Sequence, residues 1–82
     1  MRAETIREAL RAKPFRPFRV YLSDGSNYDV RHPELCMVGV HDIFLGFPSS
    51  DPGVEGYERF AILALTHITR LEPIDSAAAA TG

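Results

Sequence analysis

Asp24-Gly25 stands between two stretches in which apolar and polar residues alternate, and that combination commits this part of the chain to an antiparallel hairpin. Before the turn, Phe18, Val20 and Leu22 share one face while Arg19, Tyr21 and Ser23 share the other. After it, over residues 27–31, Tyr28 and Val30 fall on one face. A two-residue Asp-Gly turn needs a backbone conformation that a Cβ resists, so Gly25 is expected at positive φ.

A chain that opens its sheet this way must find further strands, and the remaining pattern supplies them. His32-Pro33-Glu34 interrupts the ladder, and residues 35–40 resume a short apolar run that Gly39 and His41-Asp42 close as a second turn. Ile43, Leu45 and Phe47 then alternate against Phe44 and Gly46. Residues 48–58 hold prolines, glycines and serines without apolar periodicity and read as a surface loop. Residues 60–65 are nearly all apolar, as in a strand covered on both sides. Thr66-His67 breaks that run before residues 68–71, and Pro73 ends the pattern.

Ahead of the strands, Ala3, Ile6, Ala9 and Leu10 recur at helical spacing and predict a short helix over about residues 4–12. Thr5 and Glu8 have capping-box spacing, and Pro14 stops the helix. The doubled Pro14-Phe15-Arg16 and Pro17-Phe18-Arg19 reads as an extended lead-in that pins the first strand, with a PxxP ligand as the other reading. The expected fold is therefore mostly β: a small SH3/Sm-like barrel of about five strands with a short N-terminal helix, closed so that no long edge is left bare. It spans residues 1–74, and the low-complexity segment 75–82 is expected to be a disordered tail. Phe18, Val20, Leu22, Val30, Leu45 and Ile62 are the expected core.

With 82 residues, such a domain buries only roughly 60% of the surface its unfolded chain exposes. A deep multi-substrate cleft is excluded at this size. No apolar run approaches the ~20 residues of a membrane span. The start, Met1-Arg2-Ala3-Glu4-Thr5, has no secretion-signal core, and Cys36 is the single cysteine; a cytoplasmic, reducing setting is expected.

The net charge of −2 hides a division. Residues 1–19 carry six of the nine basic groups against Glu4 and Glu8, a balance of +4, and the remainder carries three basic and nine acidic groups, a balance of −6. A basic arm on an acidic body points to an acidic partner. Arg7, Arg11, Lys13, Arg16 and Arg19 are the candidate phosphate contacts, and Tyr21 is a candidate for base stacking. The competing reading makes the same residues a solvated helix face and a cover for the barrel.

Catalytic chemistry finds little footing. His32, Cys36, His41 and His67 are ligand types, but no CxxC or HxxxH pairing occurs, so no metal site is expected. The serines lie in turns and loops, and no phosphate-binding glycine loop is present; no cofactor and no enzymatic activity are expected. Apolar surface is left over instead. Phe44, Ala61, Leu63 and Leu65 exceed what one barrel interior and a short helix can hide, which predicts a homo-oligomer with Phe44, Leu63 and Leu65 at its interface.

Three stretches are similar to the Sm-like superfamily, particularly its bacterial Hfq branch: the helix before the first strand, Arg19-Val20-Tyr21-Leu22-Ser23-Asp24-Gly25, and Ala64-Leu65-Thr66-His67-Ile68-Thr69-Arg70-Leu71-Glu72-Pro73. Aligned on Ile68, Leu65 and Thr66 stand where that branch has a lysine–histidine pair. The chain also resembles short uncharacterised bacterial proteins that end in His-Ile-Thr-Arg-Leu-Glu-Pro. The Sm-like resemblance implies a ring joined through the last two strands, with single-stranded RNA as ligand. The expected function is thus non-enzymatic binding, and the alternative is a protein-interaction or structural module without nucleic acid.

Overall fold

The computed structural model describes residues 1–74; the segment 75–82, read above as a tail, lies outside the described residues. Helix α1 (Ala3–Arg11) is followed by six strands: β1 (Phe18–Leu22), β2 (Asn27–Val30), β3 (Cys36–Val38), β4 (Asp42–Pro48), β5 (Tyr57–Ala64) and β6 (Ile68–Pro73). They form two antiparallel three-stranded sheets, ordered β2-β1-β6 and β3-β4-β5. The mostly-β expectation with its leading helix holds. The closed barrel of about five strands does not: six strands divide into two separate sheets, and Pro33–Leu35 forms a 3-10 turn between β2 and β3, at the interruption expected there. Proline lacks the N–H a continuous ladder needs, so the break at Pro33 follows from the residue itself. A second 3-10 turn, Leu65–His67, carries the chain from β5 to β6.

The hairpin forms where alternation places it, with Phe18 opposite Val30 and Val20 opposite Tyr28. Its turn is one residue longer than expected. Leu22 N–H donates to the Ser26 carbonyl at 2.9 Å and Gly25 N–H to the Leu22 carbonyl at 3.0 Å, enclosing Ser23, Asp24 and Gly25. Gly25 has φ +92, the left-handed residue that ends such a three-residue loop. Asp24 Oδ1 accepts from Ser26 N–H at 2.9 Å and from Ser26 Oγ at 2.6 Å. These bonds hold the Asp24 carboxyl below its ordinary range.

Between the sheets lie Phe18, Val20, Val30, Cys36, Ile43, Leu45, Leu63, Leu65 and Ile68, and α1 closes one side by burying Ile6 completely. The helix begins at Ala3, ahead of the expected cap, and has no side-chain cap hydrogen bond. At under three turns it persists by docking Ile6, with Ala3, Ala9 and Leu10 packed around it.

Two expectations about β5 are corrected. Ile62, expected in the core, is 60% exposed, and Leu63, expected at an interface, is 5% exposed. Leu65 is likewise buried in the core and is withdrawn from the interface. Pairing with β4 sets the phase: Ile43 faces Leu63 and Leu45 faces Ala61 inward, while Phe44 faces Ile62 and Gly46 faces Phe60 outward. A strand that is apolar on both sides gives no alternation from which to read this. Leu22, also expected in the core, is only half-buried at its margin.

Candidate binding surfaces

The outer face of the β2-β1-β6 sheet is polar and pairs with itself. Arg19 stands opposite Asp29 on one side and Glu72 on the other, and Tyr21 stands between Asn27 and Arg70. The Arg19 guanidinium donates to Asp29 through Nε at 2.6 Å and Nη2 at 3.4 Å. Arg19 thereby holds the Asp29 carboxyl below its ordinary range, and Arg19 itself is raised by the same bond. Arg70 donates to Glu72 at 2.8 Å while its guanidinium lies 3.8 Å from the centre of the Tyr21 ring. Arg19 and Tyr21 do point away from the core, as alternation requires. Both are occupied by neighbours on their own sheet.

The other candidate basic residues divide. Arg7 pairs with Glu4 at 3.5 Å within the helix. Arg11, Lys13 and Arg16 are exposed, with no carboxylate partner among the described residues. Arg11 and Lys13 border a hollow of about 410 Å³ with Phe15 and Pro33.

Next to it, where His32 precedes Pro33, a cleft of about 380 Å³ follows the unpaired edge of β2. Arg19, Asp29 and Arg31 form one wall, Phe47 and Arg59 the other, with Tyr28 lining it as well. The Arg59 guanidinium sits 4.4 Å from the centre of the Phe47 ring, and Tyr28 packs against the same ring at 5.9 Å. Arg31 reaches Asp29 only at 3.6 Å. The sequence reading missed Arg31 and Arg59 because they lie outside the basic N-terminal segment.

The outer face of the β3-β4-β5 sheet is of a different kind. Met37, Phe44 and Ile62 form a row across it through paired registers. Phe44 and Phe60 stack at 5.0 Å, and Tyr57 meets Phe44 edge-on at 5.5 Å and Phe60 at 6.0 Å. Gly46 makes room, with Tyr57 Cβ only 3.3 Å from where a Cβ on Gly46 would sit. Met37, Tyr57, Phe60 and Ile62 are nevertheless half or more exposed. Of the three expected interface residues only Phe44 is here, and Phe60, Ile62, Tyr57 and Met37 take the places of Leu63 and Leu65.

Ser23 Oγ lies 3.4 Å from His67 Nδ1, both exposed, while Asp24 is spent on Ser26 rather than orienting the imidazole. Cys36 is buried, and burial pushes its thiol up to about 11, so the nucleophilic and metal-binding thiolate is disfavoured at neutral pH. His32 lies 3.7 Å from Glu34, His41 is exposed, and among the described residues no group of three or more His, Cys, Asp or Glu side chains is arranged to hold a metal. Among those residues, no helix is long and apolar enough to cross a membrane.

No family model, no curated protein and no solved structure matches this chain.

Proposed function

We propose that this protein is a non-enzymatic binding module of the small SH3/Sm-like barrel type, that it works as a homo-oligomer, and that its ligand is single-stranded RNA. The observation that carries the reading is the uncovered aromatic face of β4 and β5. β5 is eight residues long and ends its sheet. Monomeric proteins guard such an edge with charge, proline or a covering element; here the charges Glu58 and Arg59 stand near one end, and the four residues that follow, Phe60, Ala61, Ile62 and Leu63, are all apolar. β6 is also a terminal strand, of the other sheet. Head-to-tail pairing of β5 in one copy with β6 in the next satisfies both edges and covers Phe60 and Ile62, the arrangement the Sm-like resemblance implies. A standard interface takes about 800 Å² from each partner, a substantial part of this protein's 5355 Å² surface. The β4–β5 face is the apolar surface suited to supply it.

RNA as ligand is supported by Arg11, Lys13 and Arg16, which have no carboxylate partner among the described residues. The buried thiol accords with a reducing, cytoplasmic setting. A protein-interaction or structural module without nucleic acid is the second reading, favoured by the same apolar face and by the net charge of −2.

Native mass spectrometry of the full chain at micromolar concentration, with and without a labelled oligouridylate, separates the readings. The expected result is an oligomer that binds RNA with affinity falling steeply as salt rises, and a folded monomer for Ile62→Glu. A folded wild-type monomer removes the oligomer. An oligomer that ignores RNA at low salt leaves the protein-interaction reading.

A further inference from the structure

The cleft along β2 has a charge and a lining that neither the hairpin nor the core requires. Arg19, Arg31 and Arg59 face it against the single carboxylate of Asp29. Arg19 already engages both Asp29 oxygens, at 2.6 and 3.4 Å, so Arg31 is left with a loose contact at 3.6 Å. Arg59 has no carboxylate partner among the described residues; it rests on the face of Phe47, which leaves its in-plane N–H donors free for an incoming acceptor. The cleft is thus a local excess of positive charge on a protein of net charge −2. Leu45 and Gly46 add to its lining beside Phe47. A volume of about 380 Å³ falls within the ~300–1,000 Å³ of small-ligand sites.

Planar guanidinium forks match phosphate oxygens in pairs, and aromatic and guanidinium planes accept the flat face of a base. We propose that this cleft binds a nucleotide phosphate ester, free or as one unit of a single strand, with Arg31 and Arg59 on the phosphate and the base against Tyr28. An RNA chain entering here has a basic continuation, because His32 borders the cleft and the adjoining Pro33 borders the hollow that holds Arg11 and Lys13. In its single-strand form the inference rests on the RNA reading above and adds the place where one nucleotide is gripped.

The test uses the full chain with two probes, uridine monophosphate and a decauridylate, followed by amide NMR shifts and by fluorescence anisotropy across a salt series. Both probes are expected to shift the Gly46, Phe47 and Arg59 amides. Replacing both arginines, Arg31→Gln with Arg59→Gln, is expected to lower the slope of log affinity against log salt by about 0.7, the loss of one phosphate contact on a single strand. The Arg→Lys pair should retain that slope, and unchanged thermal unfolding confirms that each variant is folded. If the monophosphate shifts these amides while no oligonucleotide binds anywhere, the cleft is a free-nucleotide site and the RNA reading falls. If the oligonucleotide binds while the cleft amides and the double variant's salt slope stay unchanged, the cleft proposal is overturned and the RNA reading survives. Shifts produced by an oligoglutamate peptide but by neither nucleotide also overturn it.

Discussion

The two sheets treat their outward residues in opposite ways. On β2-β1-β6 every second residue of β1 leaves the core and meets a partner on a neighbouring strand: Arg19 finds Asp29, and Tyr21 finds Arg70, which is itself held by Glu72. On β3-β4-β5 the outward residues are Met37, Phe44, Phe60 and Ile62; the two phenylalanine rings stack on each other, while Met37, Phe60 and Ile62 stay largely exposed. Alternation decides only that a residue faces away from the core. What it meets there depends on strands that arrive from elsewhere in the chain, and that difference leaves one face paired and the other uncovered.

The comparison breaks first if β5 is in the wrong phase. Leu63→Ala removes a buried side chain and should cost about 2–5 kcal/mol, whereas Ile62→Ala, on the outer face, should cost far less in the dissociated protein. Chemical denaturation of both variants at high dilution checks this. Equal costs at the two positions would undo the assignment of inner and outer faces.

A smaller effect sharpens the polar side. Arg19 holds the Asp29 carboxyl below its ordinary value of 3.8, so the pair's contribution is fully present above that value and is lost as pH falls through the lower folded value. The pair is about a third exposed, and a double-mutant cycle on Arg19 and Asp29 should give only the small coupling of a solvent-screened ion pair at neutral pH. Below the folded value, wild type and Asp29→Asn should converge in stability. A gap between them that widens on acidification would mean that Asp29 is not held by Arg19.

Much of this molecule is legible in its sequence where one physical signal dominates. The first hairpin follows from strict alternation around Asp24-Gly25, and the positive φ of Gly25 from the turn's need for a residue without Cβ. Helical spacing puts Ile6 on the apolar face of the helix, though its complete burial in the core was not among the expectations. The phase of β5 was not legible, because Phe60, Ala61, Ile62 and Leu63 are all apolar and only the register against β4 separates them. For the same reason a shortage of cover was foreseeable while its location was not: the leftover surface is Phe60 and Ile62 rather than Leu63 and Leu65. The occupation of Tyr21 was hidden because Arg70 and Glu72 come from the last strand, whereas Arg19 is held by Asp29 of the hairpin itself. The cleft was hidden too, since Arg31 and Arg59 become neighbours only through the placement of β2 beside the β4–β5 end.

Amide hydrogen exchange at several protein concentrations tests most directly the claim that the β5 face is covered by another copy. Protection of residues in β5 and of the outer edge of β6 should rise as concentration rises from nanomolar to tens of micromolar, while the central strand β1 stays constant. Exchange at β5 that is independent of concentration across that range, in a folded protein, would contradict the account.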